Sequence, residues 1–279
     1  MAKIVSFINM KGGVGKTTLS VNIGYTLAKQ FGKKVLLIDI DPQMNATQYT
    51  LKGRQVQEIL SNPNLTIFGI LDNRIPLPNI TSSDPPDTDP RRFQGIFNIT
   101  HGFDIIPSHL KTMELNLYDS PFRLRQFIKN KLAPNYDVII LDSPPTVSQY
   151  TKIALLSSQS YVVPMMTDYL SLFGLPLLES YISGLKSEFE SELDFLGIIL
   201  NRVRPDYSIY GDVKSKIVSK PEWRTKLFVN ELIERTKVTQ AFSQEIIDSN
   251  RQYLLELNDN ELKDNIIRIT QEFMQKGRI

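Results

Sequence analysis

The sequence predicts an α/β fold: a doubly wound, mostly parallel sheet with helices on both faces, in a single domain over residues 1–279. Three observations carry this. Apolar runs and amphipathic stretches alternate along the chain, the pattern of a parallel sheet covered on both sides. The runs at 34–39 and 136–142 each end in a carboxylate, Asp39 and Asp142. A glycine-rich loop follows the first run, Ile4–Ile8, directly. Ligands of such sheets sit at the carboxyl ends of the strands, where these residues fall.

In chain order, strands are expected at 3–9, 34–39, 103–106, 136–142, 160–164, 195–200 and 226–229. Helices are expected at 16–31, 44–51, 55–61, 66–72, 112–132, 148–157, 171–189, 208–219, 238–248 and 259–276. There are no repeats. The stretch 76–92 carries prolines at 76, 78, 85, 86 and 90 among Ser, Thr and Asp. It reads as a long exposed loop inserted into the domain.

The loop after the first strand reads Asn-Met-Lys-Gly-Gly-Val-Gly-Lys-Thr-Thr over residues 9–18. Strand, glycine turn and amphipathic helix in that order make a phosphate-binding loop. Gly12, Gly13, Val14, Gly15, Lys16, Thr17 and Thr18 would surround the phosphates with backbone N–H groups, because no Cβ obstructs the glycines. The start of the next helix adds partial positive charge. Lys16 suits the β- and γ-phosphates, and the Thr17 hydroxyl suits Mg²⁺. The alternative, a glycine turn that merely precedes a helix, does not account for Gly-Lys-Thr after a buried strand.

The strict G-x-x-x-x-G-K-[ST] spacing fails at Met10, and a second lysine, Lys11, opens the glycine run. This form resembles the deviant loop of the ParA/MinD family of ATPases. Residues 39–47, Asp-Ile-Asp-Pro-Gln-Met-Asn-Ala-Thr, resemble that family's switch I, and Tyr136–Pro145 resembles its Walker B strand and switch II. Residues 164–174 resemble its P-V-Q-x-E-Y-x-A-L-x-G segment, with Met166 for Gln and Asp168 for Glu. Residues 197–203 resemble the strand whose terminal Asn reads adenine, here Asn201. Residues 227–243 resemble a segment that carries I-P-R and then A-P-S, with Glu234 and Phe242 in place of the prolines and one residue fewer between them. The likeness runs from residue 3 to about 257.

The resemblance implies an ATPase that uses ATP and Mg²⁺. Lys11 would reach the nucleotide of a partner copy, Asp41 would position the attacking water, and Thr17, Asp41 and Asp142 would serve the metal. Without the loop upstream, Asp41 and Asp142 would read as strand-end caps. The family also implies an ATP-dependent homodimer, nonspecific DNA binding, and a centromere-binding or cargo adaptor protein that stimulates hydrolysis. The expected location is the cytoplasm, on the nucleoid when ATP is bound.

Composition is compatible with this. Apolar residues make up 41% of the 279 residues, enough for a sizeable core. Cysteine is absent, which removes disulfides, thiolate ligands, cysteine nucleophiles and an iron-protein relative together. The two histidines, His101 and His109, are too few for a multi-histidine metal site. No secretory core follows Lys3 and no apolar run approaches membrane-spanning length. The first strand begins at residue 3, so no N-terminal helix-turn-helix, and no operator recognition, is expected.

Residues 204–237 hold eight basic against five acidic side chains. Arg235, which falls on the arginine of I-P-R, and then Lys214 and Lys216 are the candidate DNA contacts; a merely solvated face is the alternative. Two rival functions remain. A MinD-like membrane-cycling ATPase would use the C-terminal stripe Leu262, Ile266, Ile269 and Phe273, although the mixed charges opposite it favour a helix packed on the domain. A DNA-binding scaffold without catalysis is disfavoured by the presence of Lys16, Thr17, Asp41 and Asp142.

Overall fold

The computed structural model describes residues 1–74, 93–236, 238 and 252–279. The expected loop at 76–92 and most of the expected helix at 238–248 lie outside these residues. Eight strands form one sheet in the order β3-β4-β2-β5-β1-β6-β7-β8. They are β1 (Lys3–Phe7), β2 (Val35–Asp39), β3 (Phe97–Thr100), β4 (Phe103–Ile106), β5 (Val138–Asp142), β6 (Ser160–Met165), β7 (Asp194–Val203) and β8 (Leu232–Ile233). All pair in parallel except β3 with β4. The chain therefore has the expected doubly wound α/β fold.

The helices are α1 (Lys16–Phe31), α2 (Asn45–Thr50), α3 (Gly53–Ser61), α4 (Ile67–Leu71), α5 (Arg123–Phe127), α6 (Gln149–Ser157), α7 (Tyr169–Phe189), α8 (Ser208–Ser219), α9 (Pro221–Arg224) and α10 (Asn260–Gly277). Side chains alternate across each strand, so one strand feeds two cores. Val5, Phe7, Leu37 and Ile140 pack under α1 and α10. Ile4, Leu36, Ile139 and Leu141 pack under α4, α5 and α6 on the other face. A third cluster joins β6 and β7 to α7 and α8.

Two expectations are corrected, and one strand is found that was not expected. The helix expected at 112–132 is broken. A 3₁₀ turn covers Leu110–Glu114, and helix resumes only at Arg123, because Pro121 offers no N–H and the preceding Asn116–Ser120 favours turns. The strand expected at 226–229 is a single bridge at Leu227, and β8 forms later at Leu232–Ile233. An edge strand, β3, pairs antiparallel to β4 through a tight turn in which Gly102 has φ 79.

The C-terminal stripe is inside the protein. Leu262, Ile266, Ile269 and Phe273 are all fully buried, with Phe273 6.0 Å from Phe7 between ring centres. Among the described residues no helix is long and apolar enough to cross a membrane.

Asn22 of α1 ties the C-terminal segment to α2. It is buried, its Oδ1 accepts from Leu254 N at 2.7 Å, and its Nδ2 donates to Tyr49 Oη and Thr18 O, both at 2.8 Å. Tyr49 Oη in turn donates to Gln252 O at 3.0 Å. Asn22→Ala would leave the Leu254 N–H without its acceptor and open a small void. A loss of about 2–3 kcal/mol of stability is expected, read by urea unfolding; no shift in midpoint would show that Asn22 holds nothing together.

Candidate nucleotide site

The loop leaves β1 and turns back onto α1 through two residues in the left-handed region, Gly13 with φ 74 and Gly15 with φ 83. Gly15 has a second reason to be glycine. A Cβ there would lie 1.9 Å from Asn201 Nδ2. The loop borders a cavity of about 460 Å³ that Gly12, Gly13, Gly15, Lys16, Thr17, Thr18, Asp41 and Asn201 line together. These positions, up to 189 residues apart in the chain, are brought together at the carboxyl ends of β1, β2 and β7, while Lys11, Val14 and Asp142 do not line the cavity.

Asp142 ends β5 and is fully buried. Thr17 Oγ1 donates to its Oδ2 at 2.7 Å and Ser20 Oγ to its Oδ1 at 3.0 Å. Burial pushes its carboxyl up to about 6, against the pull of Thr17, Lys16 and Ser20. Asp39 lies beside it on β2 in direct register. Its Oδ2 accepts from Thr47 N at 2.8 Å and Thr47 Oγ1 at 2.7 Å, which pins α2 to the sheet. Burial, with Asp142 next to it, raises the Asp39 carboxyl well above the usual range.

Asp41 lines the cavity with both oxygens oriented: Gln43 N donates to Oδ1 at 2.9 Å and Asn45 Nδ2 to Oδ2 at 3.1 Å. Lys16 is buried, which lowers its pKa, while Asp142 and Asp41 work in the opposite direction. Its Nζ donates to Asn9 O at 3.3 Å and Lys11 O at 3.4 Å, so the lysine lies along the loop it serves.

Lys11 is folded onto its own chain. Its Nζ donates to Asp168 Oδ2 at 2.7 Å. Asp168 is also the N-cap of α7, accepting from Ser171 N at 2.9 Å. Burial acts against this carboxyl, but the Lys11 and Ser171 bonds hold it below the usual carboxylate range. Asn201 is at the cavity, although its amide is already engaged by Val14 and Arg202. The three candidate DNA contacts are each paired: Arg235 with Glu261, Lys214 with Glu231 at 2.5 Å, and Lys216 with Asp212 at 2.8 Å.

A family model described as an AAA domain (AAA_31) matches residues 2–195. The virulence plasmid ParA family protein pGP5-D of Chlamydia psittaci is 30% identical over 258 residues, covering 86% of this chain and 88% of its own. The chain belongs to the ParA family. The sporulation initiation inhibitor protein Soj of Bacillus subtilis is similar at 29% over 246 residues, 86% of this chain and 88% of its own. Among solved structures, a putative plasmid partition protein of Borrelia burgdorferi bound to AMPPNP has a TM-score of 0.71 at 22% identity over 99% of both chains. The ATP complex of a variant McdA from Cyanothece has a TM-score of 0.74 at 20% identity, covering 98% of this chain and 96% of its own. These two share the fold of this ParA protein.

Ser20 is not marked by any motif, although it lies one helical turn after Thr17 and so on the same face of α1. Asp39 is likewise left without a role. No local signal could show that Lys11 and Asp168 meet across 157 residues.

The donor set fits Mg²⁺, a hard ion that takes few protein oxygens and keeps water and phosphate as its other ligands. Thr17 and Asp142 offer a hydroxyl and a carboxylate at one point, with Asp41 lining the same cavity. Among the described residues no three His, Cys, Asp or Glu side chains form a cage of their own. Because the folded value of Asp142 lies above its ordinary 3.8, the apo protein holds that proton more tightly than the unfolded chain does. This contribution to stability is complete below pH 3.8 and is lost as pH rises through about 6. Asp142→Asn is expected to raise the apo Tm at pH 7.5 by a few degrees, an effect of about 1 kcal/mol, while removing the Mg²⁺ dependence of nucleotide binding. Scanning calorimetry with and without Mg²⁺-nucleotide checks both; a variant that keeps Mg²⁺-dependent binding would take Asp142 out of the metal site.

Proposed function

We propose that this ParA-family protein hydrolyses ATP as a dimer-forming positioning ATPase, binds DNA without regard to sequence, and releases it when a cargo-linked partner stimulates hydrolysis. The observation that carries the reading is the pairing of a complete loop site with a second lysine at its rim. Lys16 and the loop N–H groups would bind the phosphates, and Thr17 and Asp142 would hold Mg²⁺. Bound Mg²⁺ would neutralise charge developing on the β- and γ-phosphate oxygens. Asp41, oriented by Gln43 and Asn45, would position the attacking water.

The dimer reading gains support from α7. Leu170, Phe173 and Leu177 are 74%, 67% and 65% exposed on a helix whose N-cap holds Lys11. These three large apolar side chains lie within two turns, so a second copy docking there would bury them beside Lys11. The Lys11–Asp168 pair is partly exposed, and such pairs are worth only about 0–1 kcal/mol, so exchange for a partner's phosphate is not costly. Lys11→Ala is expected to bind Mg²⁺-ATP within about threefold of wild type yet fail to dimerise with a slowly hydrolysed analogue, as read by light scattering after size exclusion. A full dimer would remove Lys11 from the interface.

For DNA, the pairs at Arg235, Lys214 and Lys216 are exchangeable in the same way, with phosphate replacing carboxylate. Arg235 also lines the nucleotide cavity, so its surroundings depend on what occupies it. Binding should need ATP and ignore sequence, and log K should fall by about 0.9 per phosphate contact for each unit of log salt. Arg235→Ala is expected to weaken binding to all duplexes alike and flatten that slope without altering dimerisation. Fluorescence anisotropy on random-sequence duplex at several salt concentrations tests this. Absence of binding at low salt, together with binding to anionic vesicles, would favour the membrane-cycling alternative. The burial of the α10 stripe stands against that alternative.

A further inference from the structure

Away from the phosphate loop the cavity changes character. Leu232, Ile233 and Val238 give that end apolar walls, as a planar base requires. Its polar atoms then decide which base is accepted. Asn201 is the obvious reader, but Nδ2 donates to Val14 O at 2.7 Å and Oδ1 accepts from Arg202 N at 2.9 Å. One N–H and one lone pair of the amide are left over, so Asn201 can pair with either purine and does not by itself choose between them.

Glu234 is a different kind of group at the same end. It occupies the position of the proline in I-P-R, so it is a feature of this chain and not of the motif. Its backbone N–H donates to Val203 O at 2.9 Å. Its carboxylate is clamped from two sides. Arg202 donates to Oε1 through Nη2 at 2.8 Å and Nε at 3.1 Å, and Arg204 donates to Oε2. Arg204 is itself braced, with Nη1 3.1 Å from Tyr207 Oη and its guanidinium 5.1 Å from the ring centre. Arg202 adopts φ 53, which non-glycine residues seldom do. The result is a carboxylate with a fixed direction, 19% exposed, on the cavity wall. A carboxylate accepts at about four lone-pair positions, and among the described residues the arginines use three.

We propose that Glu234 selects the base: its free acceptor position takes a hydrogen bond from the exocyclic amine of adenine. Guanine presents a carbonyl oxygen at the equivalent ring position, and two acceptors would then face each other with no proton between them. This rests on the nucleotide reading above and adds the group that makes it specific for adenine. Arg202 and Arg204 act as positioning residues, holding the carboxylate where the base arrives.

The test is competition of a fluorescent ATP by ATP, GTP and 2′-deoxyATP, all with Mg²⁺, on wild type, Glu234→Ala and Glu234→Gln, with apo Tm as the folding check. Wild type is expected to prefer ATP over GTP by about tenfold or more, the scale of one hydrogen bond to a charged acceptor. Both variants should bring that ratio to about threefold or less. Glu234→Gln should also tighten GTP, because its amide can donate to the guanine carbonyl. In every protein 2′-deoxyATP should track ATP. An unchanged ATP-to-GTP ratio in both variants overturns the proposal. So does a change confined to ATP against 2′-deoxyATP, which would place Glu234 on the ribose. A wild type that binds no nucleotide overturns the nucleotide reading itself, which is a distinct outcome.

Discussion

The layout of the site is set by how the Asp142 carboxylate, buried at the end of β5, is partnered. A charge without partners in a protein interior costs several kcal/mol. Here Thr17 and Ser20 of α1 donate to it and Lys16 lies close by. The loop that delivers Thr17 and Lys16 must therefore turn sharply between β1 and α1, and Gly13 and Gly15 supply the left-handed conformations for that turn. Placing Asp39 next to Asp142 raises the electrostatic cost further, and the Thr47 bonds that offset it also fix α2. An arrangement of this kind is poorly stabilised by itself and suited to a cation.

From that point outward the molecule divides its tasks by location. The phosphate end of the cavity is fixed by backbone and by α1. The opposite end is closed by β7 and β8, two segments joined by the Arg202–Glu234–Arg204 clamp. α7 starts at the rim, with its cap holding Lys11 and its exposed apolar side chains beyond. α10 lies on the other side of the sheet from α7 and serves the core. Its amphipathic pattern has a structural use, which is why a stripe that looks suited to a membrane is covered by α1 and β1.

Much of this is legible in the sequence because the informative features are local. A buried strand, a glycine turn and Gly-Lys-Thr sit within 15 residues, and the carboxylates at 39, 41 and 142 close apolar runs that are visible by inspection. What escapes depends on contacts between distant residues. β3 alternates, Phe-Asn-Ile-Thr, but four residues are too short a run to stand out, and the strand forms because Gly102 turns the chain back onto it. β8 cannot be placed, because its two residues gain strand geometry only from β7. Glu234 can be seen to depart from the motif, but its arginine partners lie 30 and 32 residues earlier and only the fold joins them. The basic stretch counts as net positive along the chain, whereas in space Arg235, Lys214 and Lys216 each meet a carboxylate.

The phosphates of Mg²⁺-ATP are expected to bind this loop through Lys16. Isothermal titration of Mg²⁺-ATP into wild type and Lys16→Ala, with equal apo Tm values as the folding control, tests it most directly. The charge of Lys16 has no substitute among the backbone N–H groups, so the variant is expected to bind at least about a hundredfold more weakly, a charge-assisted contribution of about 3 kcal/mol. Equal affinity in the two proteins would show that Lys16 does not bind the phosphates.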